Sequence, residues 1–380
     1  MTAKNHSGDV LVIGAGIAGA SAASALAGAG AKVILAEMEP QPGYHTTGRS
    51  AATFVNSYGN DVIRALNAYS RPVLEGLDTA FSDHPILSPR GALFVAGVRQ
   101  LDDLQAALDD PPNAGLLERL EAAEALELSP ALRPETVAGA AYEPAAQDID
   151  VNALLMGYLK RFRAAAGALV TGAEITGLLR RAGAWEAETR AGRLSAPVLV
   201  NAAGAWGDEI AYLAGARPVG LVPKRRTALT FDPGRPIADW PLTISLDETW
   251  YFRPEAGDLL VSPADETPSP PCDSQPEEID VALCVDRIQS VTTLEISRLV
   301  SKRAGLRTFV HDKSPVAGFA DDVDGFFWLV GQGGYGIQTA PAMARITAAL
   351  IDGGGMPREL AERGATEAAL GPGRLQEGAL

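Results

Sequence analysis

The chain has 380 residues, with 47% apolar and 21% charged side chains, a composition that excludes a disordered chain and leaves room for about two to three domains. It carries 32 basic against 47 acidic residues, a formal charge of −15 that repels phosphate backbones. Its one compact basic run, Lys224-Arg225-Arg226, is too small to overturn that, so no nucleic-acid partner is expected. Two cysteines, Cys272 and Cys284, cannot build a disulfide framework or a four-cysteine zinc site, and no two of the four histidines stand at i, i+4, so no metal centre is expected either.

The uncharged stretch from Val10 to Ala31 approaches membrane length, but it is mostly Ala and Gly. Its pattern predicts a buried strand at Val10-Leu11-Val12-Ile13, a tight turn and an alanine-rich helix. No membrane segment is expected, and a cytoplasmic location follows from that and the sparse cysteines. A second strand is predicted over Lys32 to Glu37, closing a βαβ unit. Helices are predicted at 61 to 75 and 101 to 127, the latter broken at Pro111-Pro112, and from 150 to 166 with Asp150 as N-cap. Short strands follow near 168 to 171, 175 to 179, 184 to 189 and 198 to 202. From 217 to 300 the pattern is one of alternating strands and Pro-rich turns, with a hairpin through Pro254-Glu255-Ala256-Gly257 and an exposed loop from Asp265 to Pro276. After 303 come the strand Phe326 to Val330, a glycine-rich turn and a helix from Pro341 to Ile351, and beyond Gly353 the tail is expected to fray.

Gly14-Ala15-Gly16-Ile17-Ala18-Gly19 is a G-x-G-x-x-G between a strand and a helix, with Glu37 ending the next strand. The first glycine makes the turn, the second admits a pyrophosphate, the third lets helix and strand pack, and the acid accepts hydrogen bonds from an adenosine ribose. A dinucleotide site is expected. Three further segments favour FAD: Gly43 to Ala52, Asn201 to Trp206, and Gly331 to Gln338.

Together with Leu221-Val222-Pro223-Lys224-Arg225-Arg226, Ser245-Leu246-Asp247-Glu248, Ala304-Gly305-Leu306-Arg307 and Gly325-Phe326-Phe327-Trp328, these segments resemble the FAD-dependent D-amino-acid oxidase (DAO) superfamily, and within it the bacterial D-arginine dehydrogenases most. The resemblance covers nearly the whole chain. It implies an α/β + β fold: a Rossmann-like FAD-binding domain of the DAO/glutathione-reductase type, with a β-rich substrate-binding domain. The FAD-binding domain would be assembled from 1–80, 136–216 and 301–365, the substrate domain from 81–135 and 217–300, with 366–380 a flexible tail. Non-covalent FAD would be held by Gly14, Gly16, Ala18, Gly19, Glu37, Met38, Thr46, Thr47, Gly48, Arg49, Ser50, Ala51, Ala52, Ile175, Ala203, Gly204, Trp206, Gly333, Gly334, Tyr335, Gly336, Ile337 and Gln338.

The same resemblance implies oxidative deamination of a D-amino acid: hydride leaves Cα for the flavin, and the imino acid hydrolyses to a 2-oxo acid and ammonia. Arg307 and Arg226 match carboxylate-binding arginines, although Arg225 could face the site instead of Arg226; Tyr58 and Tyr251 match substrate-contacting phenols, and the Gly334 carbonyl is a candidate acceptor for the amine. The N–H groups of the turn before Pro341 would support charge on the reduced flavin. Two departures stand out. Ala92 follows Ser88-Pro89-Arg90-Gly91 where the enzymes for basic substrates carry a glutamate, and Thr53 replaces an active-site histidine. A non-basic side chain is therefore expected. The alternatives are oxidation of a secondary or cyclic amine, or of a 2-hydroxy acid; the partner is a small amino acid or amine, with the electron acceptor left open among a quinone, another acceptor and oxygen.

Overall fold

The computed structural model describes residues 5–375, and two sheets organise it. The first has six strands in the order Ala168–Val170, Val33–Ala36, Val10–Ile13, Val198–Asn201, Phe326–Val330 and Val316–Phe319, all parallel except the last. Every residue of Val10–Ile13 and Val33–Ala36 is buried, as strands covered on both faces must be. Val10 and Val12 pack toward helices Ile17–Gly28, Val151–Ala164 and Ala340–Ile351, while Leu11 and Ile13 pack toward Trp185, Leu194 and Ile210 on the other side. The alanine-rich face of Ile17–Gly28 lets helix and sheet approach closely. Asp150 caps Val151–Ala164 by accepting from the Ala153 N–H at 2.7 Å.

The second sheet runs in the order Thr267–Pro268, Val222–Phe231, Asp258–Ser262, Tyr251–Glu255, Leu242–Ser245, Ala92–Ala96, Gly139–Glu143 and Glu118–Glu121, with Ser301–Phe309 also paired to Val222–Phe231. Its alternation separates two faces. Leu93, Val95, Leu229, Phe252, Leu259 and Val261 form a core with Cys284 and Ile288 of the helix Glu278–Val291. Ala92, Ala228, Leu242, Tyr251 and Leu260 lie on the opposite face, beside Val55.

Several sequence expectations are corrected. Glu118–Glu121, expected to be helical, is an edge strand, because its backbone completes the ladder of Gly139–Glu143. The stretch expected to be all strands and turns contains the helix Glu278–Val291, which covers the sheet's otherwise open apolar face. The loop after Asp265 is not wholly exposed: Thr267–Pro268 pairs with the Lys224–Arg225 edge, and Ser274 is buried. Residues 301–309, expected with the cofactor-binding segments, belong to the second sheet. The tail beyond Gly353 folds back through Arg358–Ala361 and Glu367–Leu370, burying Leu360, Ala365 and Leu370 in the first core. The rest of that expected tail, 376–380, lies outside the described residues. Among the described residues no helix is long and apolar enough to cross a membrane.

Candidate functional site

The strand-to-helix turn at Gly14 opens the site. Gly14 has φ +99°, and a Cβ there would meet the Ala202 carbonyl oxygen at 2.5 Å; a Cβ on Gly19 would overlap the Gly14 carbonyl. The turn therefore requires glycine at both positions, and the helix N-terminus is left close to the neighbouring strand ends. Thr47 Oγ1 accepts the Ile17 N–H at 3.0 Å. The Glu37 carboxylate accepts from the Ala15 N–H at 2.7 Å and the Glu39 N–H at 3.0 Å, which fixes its direction at the strand end. Burial raises the Glu37 pKa above the ordinary carboxylate value, against the pull of those two bonds.

From this turn a continuous cavity runs between the two sheets. Of the expected cofactor residues, Gly14, Gly16, Ala18, Glu37, Met38, Thr46, Thr47, Arg49, Ser50, Ala51, Ile175, Ala203, Gly204, Trp206, Gly333, Gly334, Gly336 and Ile337 line it. Five do not. Gly19 serves the helix–strand contact, and Gly48 closes a tight turn by donating to the Gly43 carbonyl at 2.8 Å. Tyr335 stands behind Tyr58, with ring centroids 4.9 Å apart. Ala52 and Gln338 belong to the adjoining chamber, and the Gln338 side chain is engaged with the Val55 N–H and with Asn67. His45 and Gln332, inside the expected segments though not in that set, and Thr308, outside them, also line the cavity. Each of these three has a buried polar atom without a protein partner: His45 Nδ1, Thr308 Oγ1 and Gln332 Nε2. Unsatisfied polar atoms, a glycine turn at a helix N-terminus and an oriented acid together fit a polar dinucleotide cofactor.

The adjoining chamber brings together Thr53, Tyr58, Arg226, Tyr251, Arg307 and Gly334. Arg226 lies opposite Gly305 and Lys224 opposite Arg307, so Arg226 and Arg307 project from neighbouring strands on the same sheet face. A Cβ on Gly305 would face Arg49 Cβ at 3.5 Å and Thr46 Cα at 3.7 Å, so this position lets the second sheet lie close to the Thr46–Arg49 segment. Arg307 donates to Tyr58 Oη at 3.4 Å, and among the described residues no carboxylate lies within ion-pair distance of it. Arg226 donates to the Asp265 carbonyl at 2.8 Å and to Glu266 at 3.3 Å. Its pKa is lowered by burial and next by the Arg307 charge. Burial raises the Tyr58 phenol, keeping it a protonated donor. The choice left open between the adjacent arginines is settled by alternation. Arg225 points to the other face and binds Asp280 at 2.9 Å and Glu277, both at the start of the covering helix.

The expectation of an acid-free chamber built on Ala92 is corrected. Ala92 is fully buried behind the lining, among Val55, Leu242 and Tyr251, directly opposite Glu143. A carboxylate does reach the chamber from elsewhere: Glu248, exposed at the rim, accepts from Tyr58 Oη at 3.3 Å. The remaining lining includes Val55, Phe94, Leu242, Ile244 and Ile337. Arg253, also unforeseen, shares the sheet face of Tyr251; it donates to the Ala51 and Ala52 carbonyls and pairs with Asp148 at 3.1 Å, tying the segment after Ser50 to the sheet.

A mostly parallel nucleotide sheet joined to a β-rich domain, with a cavity that carries unpartnered polar atoms and adjoins a two-arginine chamber, defines a dinucleotide-dependent oxidoreductase of the flavin type. The chain belongs to the DAO family of FAD dependent oxidoreductases, whose model matches residues 9–350. FAD is accordingly its cofactor. Mouse mitochondrial sarcosine dehydrogenase is 25% identical over 376 residues, which is 93% of this chain and 39% of that one; the chain spans well under half the length of the curated relatives it matches. Among solved structures, glycine oxidase from Geobacillus kaustophilus superimposes with a TM-score of 0.82 at 21% identity, covering 95% of this chain and 99% of that one. L-proline dehydrogenase from P. horikoshii gives 0.84 at 20% identity over 99% and 100%. These two show the fold.

Proposed function

We propose that this chain oxidises the Cα–N bond of a small α-amino acid, with a D-amino acid as the first reading. The observation that carries it is the Arg307 guanidinium, held in a partly apolar chamber beside a second guanidinium and hydrogen-bonded to a phenol, with no carboxylate of the described residues against it. A planar fork in that setting suits a substrate carboxylate. FAD, when bound, supplies the two-electron acceptor for hydride leaving Cα. Arg307 holds the carboxylate bidentately, Arg226 adds positive potential, and Tyr58 donates to the same group. Tyr251 and Ile337 bound the space for the side chain, and Gly334 allows the Arg307 plane to lie close to the backbone: its Cβ position is 3.0 Å from Arg307 Nη1. The proton lost from nitrogen leaves to solvent, so no strong base at carbon is required. The imino acid then takes up water, giving a 2-oxo acid and ammonia.

A second reading, oxidation of an N-substituted or cyclic amino acid, is supported by the sarcosine and L-proline dehydrogenases among the similar proteins. A 2-hydroxy acid would use the same carboxylate site. Anaerobic bleaching of the flavin by D- and L-amino acids, N-methyl amino acids, proline and 2-hydroxy acids separates the three. Ammonia release from a D-amino acid supports the first, formaldehyde from sarcosine or bleaching by proline the second. Bleaching by hydroxy acids alone sinks both. Peroxide formed on aerobic turnover would identify oxygen as the acceptor.

A further inference from the structure

The chamber is fixed in shape by an acid that never enters it. Glu143, at the end of the strand Gly139–Glu143, is fully buried, and among the described residues no basic side chain lies within ion-pair distance. Its carboxylate is satisfied by four donors of two consecutive residues. Oε1 accepts from the Asn56 N–H at 2.7 Å and from Asn56 Nδ2 at 2.6 Å; Oε2 accepts from the Ser57 N–H at 3.0 Å and from Ser57 Oγ at 2.6 Å. Two backbone N–H groups can only donate, so the acid faces them as an acceptor through both oxygens. Burying a carboxylate without a counter-ion is costly, and replacing it by an apolar side chain would strand two buried N–H groups.

The next residue is Tyr58. On its other side Gly59 turns the chain at φ +93°, with its Cβ position 2.7 Å from Ile63, and before the clamp the Val55 N–H is held by Gln338. Both flanks of residue 58 are thus tied to the fold, and the phenol reaches Arg307 and Glu248 from a fixed backbone. We propose that Glu143 is a positioning residue of the substrate chamber: its buried carboxylate clamps the Asn56–Ser57 turn and so sets the Tyr58 phenol beside Arg307. This rests on the reading of Tyr58 and Arg307 as the substrate-carboxylate site.

The test uses the FAD-loaded protein and three variants, Glu143→Gln, Tyr58→Phe and the two combined. Binding of propionate, as a minimal carboxylate, is followed through the flavin absorbance, and KM and kcat are measured with the best amino-acid substrate. The amide turns an NH2 toward one of the two backbone N–H groups, where the carboxylate offered an accepting oxygen. Glu143→Gln should raise the propionate Kd and KM about tenfold while kcat changes far less, and should add nothing to the effect of Tyr58→Phe. Additive effects, or a silent Glu143→Gln beside a weakened Tyr58→Phe, overturn the positioning role alone; if neither variant alters propionate binding, the carboxylate-site reading falls with it. Should Glu143→Gln fail to fold, the milder Asn56→Ala/Ser57→Ala pair, which keeps the carboxylate and both backbone bonds, should weaken propionate binding in the same direction, again without adding to Tyr58→Phe. Additivity there is equally fatal.

Discussion

Replacing Arg307 by Met removes the charge but leaves most of the volume. A bidentate charge-assisted pair to a substrate carboxylate is worth about 3–4 kcal/mol when its loss leaves that carboxylate buried and unpaired. Arg226 still faces the chamber and offsets part of this, so the lower end applies: roughly a hundredfold fall in kcat/KM. Arg307→Lys keeps the charge and loses the fork, and should cost about tenfold. The apoprotein should change little, because relief of the Arg226–Arg307 repulsion is set against the lost hydrogen bond to Tyr58 and the favourable phenol environment of Arg307. The expected Tm of Arg307→Met is close to that of the parent. Stopped-flow bleaching of the flavin under nitrogen gives the rate constants directly. The sharpest control is the decarboxylated amine of the best substrate: it should react as poorly with the parent as the amino acid does with Arg307→Met, and removing Arg307 should not slow it further. An amino acid that reduces Arg307→Met as fast as the parent would refute the carboxylate assignment.

Arg225→Ala breaks a buried ion pair with Asp280 and should lower stability by about 3 kcal/mol, seen as a fall in Tm, with kcat/KM nearly unchanged; Arg226→Ala should raise KM with a smaller stability cost. Glu37, its pKa raised by burial, binds a proton more readily folded than unfolded, so its ionisation weakens the apoprotein progressively as pH rises from the ordinary glutamate value near 4.5 through the raised one. Protonation removes an acceptor for the ribose, so FAD affinity, measured by flavin fluorescence, should fall as pH drops through that same window, and Glu37→Gln should flatten the dependence. Gly14→Ala forces a Cβ against the Ala202 carbonyl at positive φ and should abolish FAD retention on gel filtration. Ala92→Glu places a second acid directly opposite Glu143 in a fully buried site; instead of conferring activity on D-arginine it should lower Tm by several degrees.

What was legible in the sequence was what local sterics encode. Gly14 and Gly19 are demanded by contacts within a few residues or with one neighbouring strand, and the unbroken apolar run that buries both faces of Val10–Ile13 is visible in four letters. Arg226 and Arg307 were reached through resemblance; the register that brings them together joins residues some eighty positions apart. The helix Glu278–Val291 was missed because few of its residues, chiefly Cys284 and Ile288, are buried, while Ile279 is exposed, which blurs the apolar stripe. Glu118–Glu121 carries leucines at helical spacing around it, and tertiary pairing overrode them. Glu143 has no local signature at all, and Glu248 stood only at the end of a segment that carried the resemblance, with no role attached. Each acts on the segment 56–58 across 86 to 190 residues, and only the folded sheet shows why an acid stands there.

The centre of the nucleotide sheet is Val10–Ile13, Val198–Asn201 and Phe326–Val330, side by side. In synthesis the last of these follows the first by more than three hundred residues. Until then the first βαβ unit has one edge open and the late glycine turn does not exist. The early strands must wait, exposed, for partners still being synthesised, which makes this topology slow to close and leaves its open edge a site for aggregation in the meantime. The cavity that would hold FAD is lined by segments from all three thirds of the chain, so the cofactor is expected to act as a late-arriving staple, and flavin starvation should leave the protein open to proteolysis before it leaves it inactive.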